Sequence, residues 1–575
     1  MERLEKKIIN GKAYYYCSKW GRVDGKSKRI WQKYLGKLEN IVKAVEGNIS
    51  TPQYGEIFQF GLPMTLWKEC CRASIVEIID KVCPKRSQGL SVGKYIAIAA
   101  INRAIHPVSK NAMFDWFSKT TLAKLLPDGT RTNLTSQKFW NHMDRIGPGK
   151  GSLIWQKVIT NVIDNEDIDL SSISYDGTNF YTFIDTFNSR CSLAKRGKNK
   201  QGRANLRQVS YALFCSADGQ IPLFYDIYEG NRNDAKQFPI MLQKFHDFIK
   251  SNLKTEVSTS KITLVFDKGN NSKDNFSLVD QLKLSYVGSV KLGENVELTT
   301  ISNGSSRFEP CQAPGLESTK SFRVTKKIYG KERTLIVAYN QRLFNTQWLT
   351  FQNDIAKAVS RLSELEQRLN DRAAGIITKG KSPTVESVNK QSKEILSRQY
   401  MKDVIKYEVK EQTSKIPILS FEIDNDAVKR VSDTYLGKNI IISDRSEWSD
   451  DKIILAYRSQ FNIENVFKEM KDREIGSWWP LHHWTNQKIQ VHGLYCTIAL
   501  LLRALAYRRV RESGIKISMK RMLSELADIK EIMVVYAGNK KKKTRYQVVQ
   551  SKTSELQQSL LSILNIQKEE NPILG

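Results

Sequence analysis

Two aspartates stand where two strands should end. Ile173-Ser174-Tyr175-Asp176-Gly177-Thr178 alternates like a half-buried strand, and Ile262-Thr263-Leu264-Val265-Phe266 is a continuous apolar run followed by Asp267. If those strands are neighbours, both carboxylates point from adjacent carboxyl ends into one crevice. Side-by-side carboxylates repel and raise each other's pKa unless a cation lies between them. A hard divalent metal with oxygen ligands meets that need, and magnesium keeps positions open for phosphate oxygens. A third carboxylate must come from elsewhere. The candidate is Glu464, in a helical pattern that opens at the cap Ser449-Asp450-Asp451-Lys452 and runs past Lys471. Tyr457, Gln460, Glu464 and Lys471 are spaced by three, four and seven residues, which a continuous helix presents on one face. Such a face suits a phosphodiester: a metal on the carboxylates neutralises the scissile phosphate, while Tyr457 and Lys471 hold its neighbours.

These residues need a sheet to carry them. After the Asp176 strand come a strand over Gln208–Cys215, a turn at Ala217–Gln220, and a returning strand over Ile221–Tyr228. A helix over Phe238–Ile249 precedes the Asp267 strand; a helix over Asn275–Leu282 and a strand over Tyr286–Val290 follow it. Three strands, helix, strand, helix, strand is the order of a ribonuclease-H-like α/β fold, with a carboxylate at the end of its first and fourth strands. The scheme then breaks. Strands are expected at Ser321–Val324, Thr334–Tyr339, Val404–Val409 and Asn439–Ile442, with an amphipathic helix over Trp348–Asn370. That helix reads as packed within the chain rather than as a coiled coil, because its heptads last only about three turns. A last long helix spans Asn486–Arg511.

Upstream, residues 1–45 read as a twisted hairpin: Tyr14-Tyr15-Tyr16, a turn at Asp24-Gly25, and a return strand from Arg29-Ile30-Trp31. Basic and aromatic residues interleave there, as in a small nucleic-acid-binding sheet or an ordinary aromatic core with a solvated basic face. Residues 60–165 are helical by period, with a break at His106-Pro107, and suit either a DNA-binding domain or a structural bundle.

Composition sets the class. The chain has 575 residues, 90 Lys+Arg against 60 Asp+Glu for a net charge of +30, and is 40% hydrophobic and 10% aromatic. Disordered and collagen-like classes are excluded. The longest apolar stretch, Thr497–Leu502, is too short to span a bilayer, and MERLEKKIINGK lacks a signal-peptide core. Eight cysteines without a CxxC pair read as reduced thiols, and the expectation is a cytoplasmic protein. The positive charge points to a polyanion, most simply nucleic acid. It is concentrated at Lys26–Arg29, Lys195–Arg207 and Lys540–Lys543.

The helix carrying Glu464, together with the two aspartates, resembles the DDE transposases of bacterial and archaeal insertion sequences, in the group with a Tyr-Arg-Glu-Lys helix. The hairpin Gly11–Gly36, Asp176-Gly177-Thr178, Asp267-Lys268-Gly269 and His482-His483-Trp484-Thr485-Asn486-Gln487-Lys488-Ile489 extend the resemblance over most of the chain. One departure stands out: Gln460 occupies the position of the family's arginine. A glutamine can hydrogen-bond a phosphate but cannot neutralise it. The resemblance implies Asp176, Asp267 and Glu464 as catalytic metal ligands for two Mg2+ ions, with Mn2+ as a substitute. It implies binding of terminal inverted repeats, cleavage and strand transfer, with double-stranded DNA at transposon ends and target as partner. A homodimer on DNA and a place in the prokaryotic nucleoid, with no membrane, follow too. Tyr457, Gln460 and Lys471 are phosphate-binding candidates, as are Lys195, Arg196 and Arg203 in the loop between the first two strands. Trp348 is a base-stacking candidate, although core packing is the commoner fate of such a residue.

The expected organisation is a β-hairpin region (1–50), a helical DNA-binding domain (51–168), and a ribonuclease-H-like mixed-sheet core (169–294 and 447–515). A mixed β/helical insertion domain (295–446) interrupts that core, and a C-terminal region (516–575) follows. Two other readings remain open at this level: a structure-selective nuclease of the same fold, and a non-catalytic DNA-binding derivative.

Overall fold

The computed structural model describes residues 2–23, 26–46, 52–85, 88–198, 202–203, 205–217, 220–252, 261–411, 416–474, 476, 478–536 and 545–566. Two compact units result. One comprises Met1–Trp67, Phe114–Gly129 and Arg509–Gly575; the other comprises Lys68–Met113 and Thr130–Arg508.

In the first unit, the expected hairpin is a three-stranded antiparallel sheet: Glu2–Ile9, Lys12–Val23 and Lys26–Gly36. The extra strand is joined by Asn10-Gly11, both at positive φ (50° and 73°). Asn-Gly is a strong two-residue hairpin signal, because both residues tolerate that region. The expected turn at Asp24-Gly25 lies outside the described residues. Glu5 ties the three strands together, accepting from Ser18, from Trp20 (2.6 Å) and from Gln32 (3.4 Å). A second small sheet sets Lys530–Tyr536 between Arg545–Gln550 and Pro52–Gln59, all antiparallel.

The second unit is built on a nine-stranded mixed sheet. Its order is Glu309–Pro310, Thr319–Ile328, Lys331–Asn340, Lys438–Ser443, Ser285–Val290, Thr263–Phe266, Ser172–Thr182, Arg207–Ser216, Pro222–Glu229. The strands Ser172–Thr182, Thr263–Phe266 and Ser285–Val290 run parallel, and every other neighbouring pair is antiparallel. Central strands are buried on both faces: every residue of Arg207–Ser216 and of Thr263–Phe266 is buried. The helices Asp234–Asn252 and Lys273–Gln281 supply the crossovers that parallel strands require.

Four strands of the 295–446 segment extend this sheet rather than forming one of their own. The rest of the segment packs separately. The 33-residue helix Gln341–Ala373 opens at Asn340, whose side chain accepts from the Leu343 N–H (2.8 Å). Its stripe (Phe351, Ala358, Leu362, Leu365, Leu369) is buried with Val388, Met401, Val404 and Leu419 from the following helices and the hairpin Ile405–Lys410/Ile418–Ile423.

Helix Asn486–Glu512 is long and apolar enough by composition to cross a bilayer, more so than its sequence suggested, but 94% of its apolar window is buried inside the protein. It is a core helix here. All eight cysteines are free thiols.

Candidate active site

Sheet register brings the two aspartates together. In the parallel ladder Tyr175 is the partner of Phe266, so Asp176 and Asp267 are the next residues on neighbouring strands. Such strands lie about 4.8 Å apart. Each carboxylate accepts the N–H of the residue after it, Gly177 and Lys268 respectively, at 2.7 Å. Alternation along a strand decides the face. Thr178, two residues after Asp176, accepts from Nζ of Lys471, so Asp176 faces the helix Gln460–Lys471. Val265, two before Asp267, lies in a core with Ile453 and Ile454 of the helix Asp450–Arg458. Asp267 itself is extended (φ −81°, ψ 157°), which keeps it on that side.

The helix expected to run unbroken past Lys471 is interrupted at Ser459. The Ser459 N–H is shared between the carbonyls of Leu455 (3.0 Å) and Ala456 (3.2 Å), and its hydroxyl donates back to Ala456 O (2.7 Å). A serine hydroxyl that bonds back into the preceding turn bends a helix. The break puts Tyr457 on one helix and Gln460, Glu464 and Lys471 together on the next, so the single continuous face expected of all four is lost. Glu464 is exposed, whereas Gln460, one turn before it on the same helix, is buried at 8% exposure. As placed, Gln460 offers little exposed surface. Arg458 does not replace it, because its guanidinium donates to Gly315 O and Thr319 Oγ1 (both 2.8 Å).

Tyr457 sits among the acids. Burial raises its phenol pKa; a hydrogen bond with Ser289 opposes that, and the charges of Asp267 and Glu464 raise it further. Both carboxylates are thus within electrostatic reach of one hydroxyl. Among the described residues, no three Asp, Glu, His or Cys side chains stand close enough to enclose a metal ion. The chemistry of the three acids still fits a hard divalent cation, since they offer only oxygen donors and no histidine or thiolate intrudes.

The sequence reading missed what braces the Asp176 strand. Phe180 stacks on Trp478 (4.4 Å between ring centroids), Tyr181 stacks on Trp479 (4.7 Å), and Trp479 Nε1 donates to Tyr181 O (3.0 Å). Behind them lies Arg103 from the helix Val92–Ile105, 2% exposed, donating to the carbonyls of Trp479 (2.8 Å) and Pro480 (3.2 Å). A polar chain runs beside it: Lys110 Nζ to Tyr495 (3.2 Å), Tyr495 OH to His492 Nδ1, and His492 Nε2 to Trp478 O (2.8 Å). Arg473 joins this end of the strand, donating to the Tyr181 hydroxyl (2.6 Å). Five of these residues (Trp478, Trp479, His492, Tyr495 and the flanking His483) cluster within 18 positions, a dense aromatic signal that does not itself name its partner.

Burial first, then the nearby cations Arg103 and Lys110, hold His483 and His492 well below the usual imidazole pKa. The folded protein refuses protons that the unfolded chain accepts below about pH 6.5. Stability from this source is complete above that pH and falls as pH drops toward the depressed values. The loss is up to about 1.4 kcal/mol per pH unit for each ring. Denaturant titrations at pH 7.5 and 5.5 are expected to show it, with a shallower slope in His492→Gln. Equal stability at both pH values would contradict the assignment.

The segment leading into the basic loop is held in place. Arg207, itself buried, donates to the carbonyls of Ala194 (2.6 Å), Asp185 (2.8 Å), Asn188 (3.0 Å) and Cys191 (2.5 Å). Lys195, Arg196 and Arg203 are exposed on it. Arg196 donates to Thr186 Oγ1 (3.0 Å), and the Arg203 guanidinium lies 5.8 Å from the Tyr181 ring centroid. Phe187 projects from the same loop at 94% exposure. Trp348 is half-buried between Phe344 and Phe351 against the core of its own segment, far along the chain from the acids. The Lys540–Lys543 cluster lies outside the described residues.

No curated protein matches the chain. Among solved structures, it resembles one described as "Cryo-EM structure of piggyBac transposase synaptic complex with hairpin DNA (SNHP)", at 10% identity and a TM-score of 0.37, over 81% of this chain and 79% of that one. A likeness that low carries no argument. The sequence of residues 168–502 matches the family described as "Transposase DDE domain". That stretch includes Asp176, Asp267 and Glu464 and exceeds half of the chain, so the protein belongs to the transposase DDE domain family.

Proposed function

We propose that this protein is the transposase of an insertion sequence. It binds the terminal inverted repeats of its element, cuts them, and joins the freed ends to target DNA, acting on double-stranded DNA in a prokaryotic nucleoid as a homodimer. The sheet from Ser172 to Val290 with the Glu464 helix serves as a ribonuclease-H-like catalytic core, and the 295–446 segment as its insertion domain. The observation that carries the reading is the register placing Asp176 beside Asp267, on the sheet face covered by the helices of Tyr457 and Glu464, within the family-matched stretch.

Members of this family work with divalent metal ions, and in this chain Asp176, Asp267 and Glu464 would hold them, Mg2+ by preference. Bound there, the ions would supply Lewis-acid charge to the scissile phosphate. The remaining work belongs to the chain's own residues. Lys471, directed at Thr178 beside Asp176, offers its ammonium to a neighbouring phosphate. Lys195, Arg196 and Arg203 hold flanking phosphates from the loop between the first two strands. Hydrolysis of the phosphodiester at each end leaves a 3′-hydroxyl. In strand transfer that hydroxyl attacks a target phosphate and displaces the target's own 3′ oxygen.

Two observations favour a second reading, a DNA-binding derivative without catalysis. The acids do not enclose an ion as placed, and Gln460 stands where the family has arginine. One experiment separates the two. The protein is incubated with DNA carrying the inverted repeats that flank its own gene, with Mg2+ or with EDTA. The expected result is end-specific nicking with Mg2+, none with EDTA, and equal binding in both. Binding without nicking at any metal concentration would establish the second reading.

A further inference from the structure

Away from the acids, the helical part of the second unit contains a cleft of 920 Å³ lined by Lys85, Tyr95, Asn133, Lys138, His142 and Arg145. Its groups are fixed in place. The His142 ring stacks on Tyr95 (3.9 Å between centroids), and its Nδ1 bonds the Lys138 carbonyl (2.6 Å). Lys138 Nζ donates to Asn133 Oδ1 (2.7 Å) and Lys85 Nζ to Leu90 O (2.7 Å). The nearest carboxylate in sequence, Asp144, is taken by Lys488 (2.7 Å). His142 is 8% exposed, and its Nε2 is a buried atom with no hydrogen-bond partner. A buried polar atom at the wall of a cationic cleft calls for a ligand that supplies one.

We propose that this cleft seats the sugar-phosphate backbone of duplex DNA, with one phosphate held between Lys138 and Arg145 against His142 Nε2. The inference rests on the DNA-acting reading above and adds a contact surface to it. Burial first, opposed by the hydrogen bond to the Lys138 carbonyl and reinforced by the charges of Lys85, Arg145 and Lys138, lowers the imidazole pKa in the free protein. A phosphate in the cleft offsets those cations, so Nε2 can take the proton it needs to donate. Such a contact carries no sequence information. It fixes register on the duplex, which an end-binding protein needs before base contacts can discriminate.

The test is the salt dependence of binding. The full-length protein and a Lys138→Gln/Arg145→Gln double variant are titrated onto a mixed-sequence duplex of about 30 base pairs across a range of NaCl concentrations. Each phosphate contact adds about 0.9 to the slope of log K against log salt. The double variant is expected to lose close to one unit of slope and to melt at the wild-type temperature. An unchanged slope in a normally folded variant overturns the inference while leaving the transposase reading intact. A wild-type protein that binds no duplex at all would sink that reading first. His142→Gln gives a second, independent check: a loss of affinity without a loss of slope beyond about one unit supports the contact, and unchanged affinity counts against it.

Discussion

Asp176→Asn is expected to slow strand nicking at transposon ends by at least about a thousandfold, with DNA binding unchanged. Removing an anionic ligand forfeits several kcal/mol of transition-state stabilisation, and each 1.4 kcal/mol is tenfold in rate. The substitution keeps the side chain's shape in a half-buried strand position, so the fold should survive. Asp267→Asn and Glu464→Gln are expected to behave alike, because the three act as one unit and their effects do not add. Single-turnover nicking on pre-bound ends, alongside a melting curve, separates chemistry from folding. If any of the three variants nicks within tenfold of wild type, that residue is not a ligand. Lys471→Ala should be milder, since a neighbouring-phosphate contact is one charge-assisted hydrogen bond among several.

Arg103→Ala is expected to cost about 4 kcal/mol of stability, read as a lower denaturant midpoint. The guanidinium is buried and satisfies the carbonyls of Trp479 and Pro480, the turn whose two indoles clamp Phe180 and Tyr181. Its loss strands those acceptors at about 1–3 kcal/mol each and opens a cavity. Arg103→Lys should rescue little, because one ammonium cannot reproduce the fork that reaches both carbonyls. Lys110→Met supplies the contrast. Lys110 is a buried cation beside Arg103, its pKa pushed well down by burial and then by that neighbour. Replacing it with an apolar chain of similar length removes a desolvation cost and is expected to be near neutral. If Arg103→Ala melts like wild type, the turn is held by its indoles alone.

The strands that carry the aspartates were legible because a buried strand announces itself locally. Ile262–Phe266 is apolar without interruption and stops at Asp267, and Ile173–Thr178 alternates, although its strand does not end at Asp176 as expected but runs on to Thr182. The helix break at Ser459 was not. Spacing arithmetic assumes a regular turn, and only the hydroxyl's bond to Ala456 O and the shared N–H show that this turn is irregular. The serine was the one available signal. Tyr457 illustrates the cost: its spacing from Glu464 suggested one continuous face, yet the two stand on different helices.

On its own, the sequence determined much of the order of strands and helices in the sheet, the positive charge of the chain and the Asn10-Gly11 turn. Each follows from interactions within a few residues, or from residue type alone. Only the tertiary structure decided that Tyr175 faces Phe266 across 91 residues of chain, and that Pro52–Gln59 finds its strand partner at Lys530–Tyr536. The same holds for Arg103 reaching the turn at Trp479. Backbone ladders accept almost any side chain, so strand register across long separations leaves little local trace. Burial of the whole hydrophobic surface at once selects among the pairings, and that selection is what sets Asp176 next to Asp267.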